Sequence, residues 1–493
     1  MLPSYNDYIH GNQAILPEGL TQIEPKAFFG NHDLVSVVIP EGVTDIGEKA
    51  FEGCTALAKI ALPKSIQHIG SYTFLQCHGL TSVTLDLPKL EYMGNGVFAH
   101  CNGITDVTIN ARYVGEQAFA SCKGLKRVIL MDGLGDIGEK AFEGCTSLAE
   151  IAFPKSIEHM GSYAFARCDG LTSLTLDLPK LKYMENGVFS CCQGLAEVTL
   201  NARSIGPQAF DSCTNLKRVK LTEGLLNIDA HAFEGCTSLA EITFPKSIEH
   251  MGSYAFSQCE GLTGVKLDLP KLVYMGSGVF SQCKGLNTAF INTRVIGHQA
   301  FDGCTNLQIA LLEGVTKIND HAFSGCTALT NVSIEGCVKF VGEYAFCDCK
   351  SLWMLRMSGV ERIDENAFLG CSALSSVIIE GENAVIGAQA FNGCNRLHTV
   401  ILEGVEQIGQ RAFADCVELD SIPNPAGLKF IDPRAFQGCT RFDRLSLPES
   451  ITDIGELAFA GCKSLRHIYA TPTTPPYGAY GMFEGKHPSN CIL

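Results

Sequence analysis

The sequence has no long apolar run: nowhere does it reach the roughly 18 consecutive apolar residues that a membrane-crossing helix needs, so no such span is expected. Positive charge is scarce as well. Lys and Arg total 37 against 52 Asp and Glu, the formal net charge is −15, and no basic run occurs. Nucleic acid and anionic membrane surfaces are thereby set aside as partners, because phosphate binding needs concentrated positive charge. The opening stretch MLPSYNDYIHGNQAILPEGL has neither a basic n-region nor an apolar h-region, so the sequence as written gives no export signal. Tryptophan occurs once, at Trp353.

Cysteine, in contrast, is abundant, with 23 residues in a chain of 493 that is too long to be a disulfide-stapled miniprotein. Nineteen of them stand three residues after a recurring Phe, as in AFEGC at Ala50–Cys54, Ala141–Cys145 and Ala232–Cys236. Aligned on that Phe, from Phe28 to Phe483, the chain divides into 21 units of 21 to 24 residues. A period in this range indicates a solenoid in which each unit buries its apolar face only against its neighbours. From Phe28 to Phe301 the spacings repeat as 23, 23, 24 and 21, which sum to 91, so blocks of four units were duplicated as sets. The near-identical DLPKLEYMGNGVF, DLPKLKYMENGVF and DLPKLVYMGSGVF, starting at Asp86, Asp177 and Asp268, carry the same mark. After Phe301 the units run to 22–24 residues and the four-unit pattern is lost.

Within a unit, Leu80, Val83 and Leu85 alternate with Ser82 and Thr84, which predicts a short strand with one face inward. A Gly in an IG or MG pair then turns the chain, a position suited to positive φ or to close backbone approach. The pattern in LVSVVIPEGVTDIGEKAFEGC (Leu34–Cys54) resembles the BspA-type, or Treponema-type, leucine-rich repeat, with Ser65 and Gly42 in the slot after the strand. That resemblance covers nearly the whole chain. It implies an α/β repeat fold: a leucine-rich-repeat solenoid of about 21 rungs, a curved horseshoe or arc with a parallel β-sheet on its concave face and turns or short helical segments on the other side. The expected organisation is an N-terminal lid over 1–14, the solenoid over 15–470, and a closing unit over 471–493. This last stretch resembles the family's closing unit, which continues past its strand, whereas this sequence stops in mid-strand at Leu493, so either the chain is trimmed or its natural end differs; Cys491 falls off the cysteine column.

The column itself predicts buried thiols, since free Cys behaves as a small apolar residue; disulfides between adjacent rungs are the alternative. Zinc is not expected, because each rung supplies one sulfur and no regular His. Cys191, Cys337 and Cys347 depart from the column and are candidates for exposure. GLGDIG (Gly133–Gly138) matches a dinucleotide-binding pattern but lacks the strand–crossover-helix frame that positions a pyrophosphate, so it reads as a repeat turn. His68, His159 and His250 recur on the repeat beat and pair with no nucleophile motif. No catalytic residue, cofactor or metal is assigned, and an enzyme is not expected.

Function in a solenoid is carried by exposed strand positions, here eight and ten residues after each marker Phe. In the early blocks these are Ser82 and Thr84, Asp106 and Thr108, Ser173 and Thr175, Glu197 and Thr199, and Glu241 and Thr243. Later the same columns hold Phe290, Ile309, Leu311, Met354, Ile378 and Ile401, interrupted by Asn331, Ser333 and Arg356, with Trp353 on the flank. These six apolar residues are the candidate partner-binding patch; the alternative is that the strand register slips where units shorten and turns some of them inward. A second candidate is the polar set of Asp86, Asp177 and Asp268, Asn110, Asn201 and Asn292, and Arg112, Arg203 and Arg294, recurring every four rungs as for a repetitive ligand. The family resemblance implies a monomeric, non-enzymatic protein-binding scaffold at the cell surface or secreted, adhesin-like, recognising a host glycoprotein or matrix protein. A cytoplasmic or periplasmic assembly scaffold is the alternative.

Overall fold

The computed structural model describes residues 5–423, 425–470 and 476–483. The chain forms two compact units, Met1–Ile248 and Glu249–Leu493. Both are built from the same rung. Each rung contributes one strand to a long parallel ladder and a two-residue strand to a second, shorter ladder. Ser82–Asp86, Asp106–Asn110, Arg127–Leu130 and Glu150–Ala152 pair in register in the first unit, and Gly264–Asp268, Thr288–Asn292, Ile309–Glu313 and Asn331–Glu335 do so in the second. Only two short 3₁₀ helices occur among the described residues, Tyr5–Tyr8 and Ala479–Gly481, so the side away from the sheets is made of turns.

Burial follows the sequence period. Leu80, Val83, Leu85, Phe74 and Cys77 are all closed off from solvent, and the same set recurs rung after rung. The marker Phe rings stack nearly parallel along each unit, with centroids 5.1 Å apart for Phe28–Phe51 and Phe51–Phe74 and 5.0 Å for Phe346–Phe368 and Phe368–Phe391. Such pairing adds about 0.5–1.5 kcal/mol per pair beyond the area it removes from water.

The turn around each Phe has backbone geometry that its sequence conceals. Two residues before and two after Phe142 the chain is left-handed, at Lys140 (φ 55) and Gly144 (φ 71). As a result the N–H groups of Lys140, Phe142 and Gly144 all point to the next rung and donate to Ser162, Ala164 and Ala166, each at 2.8 Å. A non-glycine residue in this conformation costs about 1–2 kcal/mol, so the inter-rung bonds must outweigh a recurring penalty. Leu457 (φ 59) and Arg411 (φ 55) sit in the same place in the second unit.

The glycine of the IG pair is needed for close approach. Gly70 has no positive φ; a Cβ there would lie 2.4 Å from the Glu48 nitrogen of the preceding rung. Asp229, Asn319, Asp364 and Asp432 take this place in other rungs, so the tight contact is local to the glycine rungs.

At the N-terminus, Gln13–Ile15 is the first strand of the long ladder and pairs with Ser36–Val38, while Tyr5 packs edge-on against Phe28 at 5.4 Å and covers the end of the ring stack. At the other end Phe459 donates its N–H to Met482 O at 2.9 Å, and Ile454 donates to Tyr477 O at 2.9 Å. The remainder of the expected closing unit, Cys491 included, lies outside the described residues.

Candidate interaction face

Two solvent-facing parts of each rung carry the candidate residues: the outward side of the long ladder and the corner between the two ladders. Rung length varies at that corner. From the start of the long strand to the start of the short one is seven residues between Asp106 and Tyr113 but ten between Ser82 and Tyr92. The segment from the marker Phe to the strand does not change, so a shortened unit leaves the strand register intact.

The candidate patch residues therefore all lie on the open side of the ladder, and the alternative, a slip of the strand register, does not occur. Ile309, Leu311 and Met354 are exposed at 37%, 42% and 37%, and Phe290, Ile378 and Ile401 are half-buried between neighbours on the same face. Phe290 pairs in register with Leu311, and Ile378 with Ile401. Met354 pairs with Ser376. The six thus fall into two apolar groups separated by Asn331, Ser333 and Arg356. A groove of about 280 Å³ lined by Asn331, Ser333, Trp353, Met354 and Arg356 occupies the separation. Trp353 is 54% exposed, so it is not a cover for the core edge. Polar groups frame the patch: the Lys266 ammonium sits 5.4 Å from the centroid of the Phe290 ring, and Arg356 pairs with Glu380 at 2.8 Å.

In the first unit the same columns carry charges that satisfy one another. Arg127 lies 3.5 Å from both Asp106 and Glu150 on the adjacent rungs, and Arg218 bonds Glu197. Ile15, Val38 and Ile129, exposed at 49%, 47% and 44% in the outward column, are apolar exceptions, and the first two pair with each other.

The repeated polar set resolves into a structural part and a free part. Asp86 accepts from Lys64 at 2.7 Å and from the Asn110 amide at 2.7 Å; Asp177 does the same with Lys155 and Asn201, both at 2.7 Å. The lysine bond, then the amide bond, hold both carboxyls below the usual carboxylate range. Asn292 donates to Asp268 at 3.1 Å. These groups tie a long corner to a short one. Arg112, Arg203 and Arg294 are not part of that bond network and are exposed.

The cysteines do more than fill space. Column thiols donate to the carbonyl of the marker Phe one rung earlier, for example Cys77 Sγ to Phe51 O at 3.1 Å and Cys168 Sγ to Phe142 O at 3.3 Å. All described cysteines are free thiols. Burial pushes Cys54, Cys122, Cys192 and Cys283 up to about 12. Of the three departures, Cys337 is exposed and Cys191 and Cys347 are half-buried.

His68 and His159 lie on the short ladder between carboxylates of adjoining rungs, with Asp45 at 2.9 Å and Glu91 at 3.8 Å for the former and Glu185 at 2.9 Å and Asp136 at 3.8 Å for the latter. GLGDIG is a rung turn, with Gly133 at φ 99 and Asp136–Ile137 in the short ladder. Among the described residues no group of three or more His, Cys, Asp or Glu side chains could hold a metal ion, and no helix is long and apolar enough to cross a membrane.

Rungs of this length, with a parallel strand, a buried Leu–Phe–Cys set and one open sheet face, define a leucine-rich-repeat solenoid. The chain belongs to the BspA type leucine-rich repeat family, whose model matches residues 5–125, 112–203, 199–308, 294–404 and 361–478. Gly42 and Ser65, in the slot after the strand, bond each other across adjacent rungs, the Gly42 N–H donating to Ser65 Oγ at 3.2 Å. No protein of curated function matches the chain. Among solved structures, a leucine-rich repeat protein from Bacteroides ovatus is 27% identical, with a TM-score of 0.56 over 71% of this chain and 87% of that one. A leucine rich cell surface protein from Faecalibacterium prausnitzii is 22% identical, with a TM-score of 0.26 over 85% of this chain and 87% of that one. Leucine-rich-repeat proteins are protein-binding scaffolds, and the BspA type is typically surface-associated.

Proposed function

We propose that this protein is a non-enzymatic, adhesin-like scaffold, displayed at the cell surface or secreted, that recognises a host glycoprotein or matrix protein through the open ladder face of its second unit. The observation that carries the reading is the change on that face. Positions held mostly by Thr, Ser and paired charges in the first unit, where Ile15, Val38 and Ile129 are the exposed apolar exceptions, hold Phe290, Ile309, Leu311 and Met354 in the second, beside an exposed Trp. Exposed apolar groups rimmed by polar ones mark recognition surfaces, and aromatic anchors dominate their energetics. The thiol content does not favour the cytoplasmic alternative, because the column thiols are closed off and hydrogen-bonded and hence protected in either redox compartment.

The test is binding of the purified protein to a panel of purified matrix proteins and host glycoproteins, comparing wild type with Phe290→Asp and Leu311→Asp. Each substitution places a charge in the patch without touching the core and is expected to weaken binding about tenfold or more, ~1.4 kcal/mol. Equal binding by all three proteins removes the patch from the mechanism.

A further inference from the structure

Every four rungs, where a 24-residue unit is followed by a 21-residue one, the short ladder is interrupted. Tyr92–Met93 does not pair with Tyr113–Val114, Tyr183–Met184 does not pair with Ser204–Ile205, and Tyr274–Met275 does not pair with Val295–Ile296. The long corner stands proud of the short one, and the step between them is a notch. In the second unit this notch is open, with a volume of about 670 Å³, inside the range typical of small-ligand sites, roughly 300–1,000 Å³. Its only charged lining residues among those described are Lys271 and Arg294, and neither is in an ion pair. Asp268 and Glu313 end the adjoining strands and do not line it; Asp268 accepts from Asn292 at 3.1 Å. Leu272, Val273 and Met275 supply an apolar wall, and Val273 and Tyr274 are exposed at its lip.

We infer that this notch binds an acidic saccharide: a carboxylate or sulfate on the Lys271 and Arg294 cations, with the C–H face of a ring against the Val273 side. Two unopposed cations on a chain of net charge −15 fit an anion by charge. A peptide laid along the interrupted ladder would meet an edge whose Gly297 N–H is already taken by the Met275 sulfur at 3.4 Å. The first block supplies a natural comparison. There the position of Val295 is taken by Tyr113, whose hydroxyl is enclosed beside Tyr92 and Met93, so a tyrosine fits this place in the rung. Across the three blocks this position changes from Tyr to Ser to Val, while the lysine (Lys89, Lys180, Lys271) and the arginine (Arg112, Arg203, Arg294) are retained.

The experiment is calorimetric titration of the full chain with a heparin-derived tetrasaccharide, with maltotetraose and with hexaglutamate as comparison probes. Wild type is expected to bind the sulfated probe with an affinity that falls as salt rises. Arg294→Ala and Lys271→Ala each reduce that affinity about tenfold, and Val295→Tyr does so with an unchanged urea unfolding midpoint. Phe290→Asp leaves saccharide binding intact, which separates this site from the patch. Absence of binding to the sulfated probe overturns the inference, as does equal binding by wild type and Val295→Tyr. Equal binding of maltotetraose, or tighter binding of hexaglutamate, overturns it in favour of a neutral sugar or an acidic peptide.

Discussion

The open ladder faces of the two units rest on the same core and have diverged in opposite directions. In the first, Arg127 is bracketed by Asp106 and Glu150, and threonines fill much of the neighbouring column; in the second, Phe290 lies against Leu311 and Ile378 against Ile401. Both faces sit above matching rows of Leu, Phe and Cys. A solenoid of this kind keeps its stability in one set of positions and its recognition in another, because alternate strand residues point to opposite sides and do not share contacts.

Alkaline unfolding should affect the two units alike, and it is the largest effect expected because the column thiols act together. A buried thiol held near 12, as at Cys122, Cys192 and Cys283, keeps its proton in the folded chain, whereas in the unfolded chain it ionises near the ordinary value of about 8.5. The unfolded state then binds fewer protons, so stability is intact below about pH 8.5 and falls as pH rises toward 12, by about 1.4 kcal/mol per pH unit for each such thiol. Urea midpoints measured from about pH 7 to about pH 10.5 span the onset of that fall and check it. A flat profile, or loss confined to one unit as read by residue-resolved hydrogen exchange, breaks the equivalence of the cores.

Removing one ring tests the same equivalence at single positions. Phe142→Ala and Phe346→Ala are each expected to cost about 3–5 kcal/mol, with no change in the character of either face. A loss in one unit several times that in the other, in urea titrations, would show that the ring stacks are not interchangeable. The smallest effect is a gain. Lys140→Gly in the first unit and Leu457→Gly in the second relieve left-handed backbone at half-buried sites and should stabilise by about 0.5–1 kcal/mol each. Destabilisation at either site would indicate that the side chain, rather than the backbone, decides the turn there.

The rung itself was legible because Phe, Leu and Cys recur at fixed offsets, and the outward columns were legible because length differences accumulate after the strand. Ile309 and Leu311 kept their places although the unit that carries them into the next rung has 22 residues. The left-handed turn was hidden, since Lys140, Arg411 and Leu457 are not turn formers and only the ladder of inter-rung bonds imposes the conformation. The thiol-to-carbonyl bond was hidden too: burial could be read from a column of cysteines, but the donor role depends on the distance to the Phe carbonyl one rung earlier. The Asp–Asn–Lys set was visible as a repeat, yet its use inside the fold became evident only when consecutive corners were brought within 2.7 Å.

The corner between the ladders has one more consequence. Seven residues span it in one rung and ten in another without moving a ring or a thiol of the stack. Length at that point shapes the corner and leaves the core rows in place, so it is the place where this chain can accept foreign sequence. A peptide spliced after Gly133 or Gly224, both exposed turn glycines, would be presented outward while the rungs on either side close against each other as before.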